Sequence, residues 1–183
     1  MYRSGQFKPA SASLAAVIMF VLLLSSPATL NAESLMVYIE AWDPERIEQL
    51  EDEEDQLDVA YFLSAVEAGV MDVFFDADYI VFNAGPITGV EEDGRRSDQH
   101  VLSVAHEGGA DLLIRFSLRF EQDGNGMPKP TLGELSYFRV DGADEMLSEQ
   151  IEISELLEEH AELTGELGFK IGTAVARRVL ESS

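Results

Sequence analysis

The segment ADLLIRFSLRFE, from Ala110 to Glu121, alternates between two kinds of side chain along its length. One parity is aliphatic and phenyl, at Leu112, Ile114, Phe116, Leu118 and Phe120. The other is largely polar, at Asp111, Arg115, Ser117, Arg119 and Glu121. This period of two predicts a strand with one face on a core and one face in solvent. Glycines and a turn sequence bound it, so we expect it to be the central strand of a sheet.

The order of the other elements predicts the sheet's topology. The predicted strands are 35–42, 79–83, 110–121, 133–140 and 146–153, and the predicted helices are 57–75, 98–107 and 163–180. A helix between the first two strands favours a parallel crossover, and the tight turns between the last three favour antiparallel hairpins. We therefore expect an α/β (α+β) fold with a single mixed β-sheet of about five strands and helices packed on it. Strands 35–42 and 79–83 are apolar enough to be buried.

The first predicted helix is apolar around its circumference. One stripe holds Leu57, Ala60, Tyr61, Ala65, Ala68, Met71 and Phe75, and a second holds Val59, Phe62, Val66, Val70 and Val73. A helix of this kind is rarely covered on one side only, so it lies between the sheet and another element or forms a subunit contact. An acidic stretch, 45–58, precedes it, and we interpret that stretch as a solvated loop leading into the helix.

The last predicted helix carries glycines and an alanine on one flank, at Gly165, Gly168, Gly172 and Ala176. Glycine costs a helix stability relative to alanine, so this flank indicates close backbone approach by a neighbour. We expect tight packing on the sheet, with a helix–helix seam as the alternative.

The N-terminal residues are typical of a secretory signal peptide. Arg3 and Lys8 precede an apolar run of eleven residues, LAAVIMFVLLL, and small residues follow. The run is shorter than the roughly 18–20 residues that span a bilayer. We expect residues 1–32 to be a signal peptide, cleaved after Ala28 or Ala32, and residues 33–183 to be one globular domain in the periplasm or outside the cell.

The charge is strongly acidic, with 12 basic and 35 acidic residues and a net charge of −23. Loss of Arg3 and Lys8 with the signal peptide leaves 10 basic residues against 35 acidic ones. Nucleic-acid binding needs clusters of lysine and arginine, which this sequence lacks, and anionic membrane surfaces are disfavoured for the same reason. Such a surface suits solubility, work in high salt, or a basic partner.

No residue set carries a recognisable reaction. The sequence contains no cysteine, which excludes thiolate zinc sites, disulfides and a lipid-bearing N-terminal cysteine. His100 and His106 lie six residues apart, on different sides of a helix, and His160 is remote from both. Asp123 to Gly126, DGNG, is best explained as a turn, and phosphate-binding and nucleophile-elbow motifs do not occur. We expect no cofactor.

After the short helix, Gly109-Ala110-Asp111 followed by Leu112-Leu113-Ile114 resembles the corresponding stretch of a group of envelope domains. These are the domains related to the TolB amino-terminal domain, the curli secretion protein CsgG and the LpoB-type activators of penicillin-binding proteins. The resemblance implies a mixed sheet with helices, no catalysis, and an adaptor or assembly role in the bacterial periplasm. The chain departs from CsgG and LpoB in lacking the lipidated cysteine, and from TolB in lacking a propeller.

The sequence therefore predicts a non-enzymatic exported protein that binds protein partners of the cell envelope, with homo-oligomerisation through the first helix as a further expectation. The alternatives are a carboxylate-based hydrolase or carbohydrate-active enzyme and an acidic cation-binding protein. The candidate interaction surface comprises Glu51, Asp52, Glu53, Glu54, Asp55, Phe62, Val66, Arg115 and Arg119. We expect Arg115 and Arg119 to lie on the exposed face of the central strand and to pair with nearby acids.

Overall fold

The computed structural model describes residues 32–42, 53–85, 97–122, 127–155 and 163–182. The strands are β1 (Ser34–Ala41), β2 (Ile80–Asn83), β3 (Leu112–Gln122), β4 (Pro128–Arg139) and β5 (Asp144–Glu152). The helices are α1 (Glu53–Asp76), α2 (Asp98–Glu107) and α3 (Gly165–Ser182), with a 3-10 turn at Ile153–Glu155. Residues 1–31 of the predicted signal peptide, residues 45–52 of the acidic stretch, the DGNG turn and His160 lie outside the described residues. Residues 53–58 of the acidic stretch, which were predicted as a loop, form the start of α1.

One mixed sheet holds all five described strands in the order β2-β1-β3-β4-β5. β1 pairs in parallel with β2 and β3, whereas β3–β4 and β4–β5 are antiparallel. The predicted fold class, the parallel crossover and the central position of β3 are all confirmed.

Helices cover both faces of the sheet. α1 and α3 pack on one face, where Leu35, Ile114 and Phe116 meet Phe62 and Ile171 in the larger core. α2 packs on the other face, where a smaller core joins side chains of β1, β3 and β4 to the helix, namely Met36, Tyr38, Leu113, Phe138, Val101 and Ala105. The prediction that β3 has a solvent face is therefore wrong for residues 112–118, which are buried on both parities.

Two strand predictions also need correction. β2 was expected to be buried, but it is an edge strand in which Ile80 is 58% exposed, since it pairs on one side only. β4 begins at Pro128, five residues before the predicted start of this strand at residue 133. Pro128 and Pro130 are tolerated there because β5 pairs with β4 only from Leu132 onward, so their missing N–H groups interrupt no ladder on that side.

The glycine flank of α3 packs on α1 and not on the sheet, so the helix–helix alternative was correct. A Cβ atom at Gly168 would lie 2.6 Å from the carbonyl oxygen of Phe62, and one at Gly172 would lie 2.0 Å from that of Val66. α1 contributes a glycine of its own, Gly69, whose Cβ position lies 2.2 Å from the carbonyl oxygen of Phe169. The two helices thus run in the same direction with their backbones in close contact.

Candidate functional site

The residues predicted to form the interaction surface do not form one surface. Phe62 and Val66 are completely buried between α1, α3 and the sheet, so their assignment to a surface is wrong. Glu51 and Asp52 lie outside the described residues. The backbone of 53–55 forms the first turn of α1, and the side chains of Glu53, Glu54 and Asp55 are not among those described.

Arg115 is buried as well, with 4% of the residue exposed, which corrects its predicted place on a solvent face. The parallel register of β1 and β3 sets Tyr38 beside Arg115 and Glu40 beside Ser117, all on the α2 face of the sheet. α2 adds Asp98 from its first turn, directly after the Ser97 cap. Five polar side chains from three elements therefore converge beneath α2.

Glu40 is the centre of this buried charge network. Its Oε1 accepts hydrogen bonds from Arg115 Nε at 2.9 Å, from Arg115 Nη2 at 2.5 Å and from the Ser117 hydroxyl at 2.9 Å. Its Oε2 accepts one from the Tyr38 hydroxyl at 2.8 Å. Arg115 Nη1 donates to Asp98, which extends the network to the surface. The guanidinium thus joins two carboxylates, one buried and one half-exposed.

The charges in the network stabilise each other. Burial acts to lower the pKa of Arg115, but the attraction and hydrogen bonds of Glu40 and then Asp98 outweigh it, so its pKa lies above the ordinary value. Arg115 therefore remains a cation. The expectation that Arg115 pairs with acids is confirmed, although within the interior.

Arg119 lies four residues after Arg115 on β3, on the same parity, and is exposed. Its guanidinium carbon lies 4.8 Å from the centre of the Trp42 ring, a cation–π contact. Arg115 and Arg119 therefore differ in environment although both belong to one parity of one strand.

The exposed side of α1 presents apolar residues that the core does not use. Leu57, Tyr61 and Phe75 are 69%, 67% and 72% exposed. With Ser64, Ala68 and Met71 they occupy one stripe at successive spacings of four and three residues, which is the heptad spacing of a helix–helix contact. Met71 is the member of this stripe that is partly buried against the larger core. We call these six residues, Leu57, Tyr61, Ser64, Ala68, Met71 and Phe75, the heptad face.

Acidic residues flank the heptad face. Asp58 and Asp72 each follow a residue of the stripe and are exposed, whereas Glu67 precedes Ala68 and is half-buried. Burial raises the pKa of Glu67, and a hydrogen bond with Asn83 of β2 acts in the opposite direction. α1 as a whole contains seven acidic residues and no basic one.

A contact through this helix was predicted, with Phe62 and Val66 on the interaction surface. The exposed apolar surface lies instead on the stripe that holds Leu57, Tyr61 and Phe75. Both stripes are evident in the sequence, and apolar spacing alone does not show which one the core uses. The flanking aspartates are the signal that could have distinguished them, because charged side chains are rarely placed beside a fully buried stripe.

Other sites give no sign of chemistry in the described residues. His100 and His106 are exposed on α2. Across the described ranges, no group of three or more histidine, aspartate or glutamate side chains is placed to hold a metal ion. None of the described helices has the length and apolar character needed to cross a membrane.

Comparisons with known proteins identify no family. No family model matches the chain, and no curated protein matches it. Among solved structures, a PelC dodecamer from Paraburkholderia phytofirmans is similar, with a TM-score of 0.41, 9% identity, and coverage of 79% of this chain and 84% of that one. Lipoprotein GNA1162 from Neisseria meningitidis has a TM-score of 0.38 and 16% identity, with coverage of 81% of this chain and 96% of that one. Likenesses at this level carry no conclusion about function.

Proposed function

We propose that this chain is a non-enzymatic, exported accessory protein of the cell envelope that binds a protein partner through the heptad face of α1. The observation that carries the proposal is the exposure of Leu57, Tyr61 and Phe75 on a helix whose opposite side is fully packed. Exposed apolar patches mark interaction sites, and helices that dock on partners do so through apolar anchors at spacings of three and four residues.

The buried charge network supports a structural role for the ionisable groups on the other face of the sheet. Glu40 is covered and engaged by Arg115, Ser117 and Tyr38. Both oxygens of this buried carboxylate are already engaged within the protein, so it is poorly placed to contact a substrate.

A photo-crosslinking amino acid at position 61 tests the contact. In intact cells, irradiation should join the protein to a partner, and the joined product should be lost in the double variant Leu57→Glu/Phe75→Glu. The control is Met146→Glu, which places a charge at another exposed apolar residue, 42% exposed, on β5. An unchanged product in the double variant, or no product at all, contradicts the proposal, provided that circular dichroism shows each variant to be folded.

Export has a separate test. Fractionation should place the chain outside the cytoplasm, and N-terminal sequencing of that material should begin at Thr29 or Glu33. Cytoplasmic recovery of a chain that still begins at residue 1 would contradict export and leave the contact proposal to be judged on its own.

A further inference from the structure

The heptad face also indicates the chemistry of its partner. We infer that the heptad face receives a basic amphipathic helix of another protein, with apolar residues at heptad spacing and lysine or arginine on both flanks. This inference rests on the proposed function, which it makes specific.

The shape of the face fits a helix. The stripe spans nineteen residues from Leu57 to Phe75, so its ends lie about 27 Å apart at the rise of an α-helix. Its large side chains, Leu57, Tyr61 and Phe75, lie towards its ends, and the small Ser64 and Ala68 lie in its middle. Small residues allow a close approach, and larger side chains of a facing helix can fill the space between them.

The flanking charges determine which helix fits. In the heptad set by the stripe, Asp58 and Asp72 occupy the e positions, which border the contact, and Glu67 occupies a g position. In coiled coils these positions select the partner through charge pairs. A partner with lysine or arginine at the facing positions would place opposite charges along both borders.

The same charges disfavour a second copy of this chain as the occupant. In a parallel pair the e positions of one helix face the g positions of the other, and in an antiparallel pair e faces e and g faces g. Either arrangement would bring aspartate or glutamate against aspartate or glutamate. Two helices with seven acidic residues each and no basic residue would repel one another.

A pair of designed helical peptides tests the inference. Both carry leucine at the a and d positions over three heptads, and one has lysine and the other glutamate at e and g. Binding to the full chain is measured by fluorescence anisotropy at low and at high salt, at concentrations where each peptide alone is monomeric. The lysine peptide should bind and the glutamate peptide should not, and added salt should weaken the binding.

Charge reversal supplies the matched control. The exposed double variant Asp58→Lys/Asp72→Lys should lose about tenfold or more of its affinity for the lysine peptide and should gain affinity for the glutamate peptide. Leu57→Glu/Phe75→Glu should abolish binding of the lysine peptide. Binding that survives the latter change would reflect general attraction to an acidic protein and would overturn the inference.

Three other results would also overturn it. One is equal binding of both peptides, which would show that the flanking charges do not select. Another is a dimer in sedimentation equilibrium that Leu57→Glu/Phe75→Glu abolishes, which would make a second copy the occupant. The third is failure of the lysine peptide to bind while crosslinking at position 61 still yields a partner. That last result leaves the proposed function intact, whereas loss of the crosslink itself would contradict the function.

Discussion

Asp111 joins the beginnings of the two central parallel strands. Its Oδ2 accepts hydrogen bonds from the backbone N–H of Ser34 at 2.8 Å and from the Ser34 hydroxyl at 2.7 Å. The Ser34 hydroxyl also accepts from the Asp111 N–H at 3.0 Å. The preceding Gly109 has φ +75°, a conformation that favours glycine, and Ala110 is buried. The Gly-Ala-Asp sequence therefore has a structural explanation in this chain, as the turn and clasp that start β3.

These hydrogen bonds predict a pH-dependent contribution to stability. The bonds from the Ser34 backbone and then its side chain hold the pKa of Asp111 below its usual value. The stabilisation by the ionised Asp111 carboxylate is therefore fully present above the pKa of this group in the unfolded chain, about 3.9. It is lost as the pH falls through the lower pKa of the same group in the folded protein. Asp111→Asn should lower the free energy of unfolding by about 1 kcal/mol at neutral pH, since the site is exposed and screened. Urea unfolding at pH 7 and near pH 3 measures this.

The difference between Asp111→Asn and the unaltered protein should shrink at the lower pH, because the protonated aspartic acid no longer has its charge. Asp72→Asn, at an exposed site on α1, is the matched control and should have little effect at either pH. If Asp111→Asn lowered the free energy of unfolding by the same amount at both pH values, the charge of the carboxylate would not be what stabilises the contact between Asp111 and Ser34.

The buried network predicts strong coupling between Glu40 and Arg115. Arg115→Met would leave Glu40 buried without its cation, and breaking a buried pair in this way costs about 3–5 kcal/mol. Glu40→Gln/Arg115→Met removes both charges, so it should be more stable than the sum of the single changes predicts. A double-mutant cycle by urea unfolding measures the coupling, and additive effects of the two changes would contradict it.

At the scale of the elements, the close packing of α1 against α3 requires glycine where the two backbones meet. Gly172→Ala would bring a methyl group against the backbone of Val66 and Val70, which cannot yield as a side chain can. We expect a loss of about 1–3 kcal/mol, despite the gain in helix propensity, because the two helices must separate. Thermal unfolding followed by circular dichroism is the measurement.

Gly165→Ala is the matched control for the seam. The atoms nearest to its added methyl group would belong to the ring of Tyr61, which is 67% exposed and can rotate away. This variant should unfold near the temperature of the unaltered protein. If Gly172→Ala were as stable as Gly165→Ala, the close backbone contact between α1 and α3 would be contradicted.

The elements were predictable from local patterns, but their surroundings were not. Alternation in 110–121 correctly predicted a central strand, yet it could not show that α2 and a buried Arg115 cover the second face. Phe62 and Tyr61 both belong to apolar stripes of α1, and their spacing alone did not reveal which one the core uses. The glycines of α3 indicated a close contact without identifying α1 as the neighbour. Each of these three gaps concerns which distant segment packs against a face, information that short-range periodicity does not contain.

At the scale of the whole molecule, the net charge of −23 affects the stability of the folded state. Repulsion among so many carboxylates opposes compaction, and salt screens it, with a Debye length of about 10 Å at 0.1 M ionic strength. We therefore expect the melting temperature to rise as sodium chloride increases from about 10 mM to about 0.5 M. A melting temperature that does not change over this range would show that the acidic residues are too well separated or too well solvated to strain the fold.

Calcium distinguishes this general screening from the cation-binding alternative. A specific site would stabilise the folded protein by an amount that grows with calcium concentration above its dissociation constant, even at fixed ionic strength. The described residues hold no cluster of three ligating side chains, and the carboxylate of Glu40 is engaged by Arg115. If the chain is the protein-binding accessory protein proposed above, millimolar calcium, balanced against sodium chloride to constant ionic strength, should leave the melting temperature unchanged. A calcium-specific rise that EDTA reverses would favour a cation-binding protein.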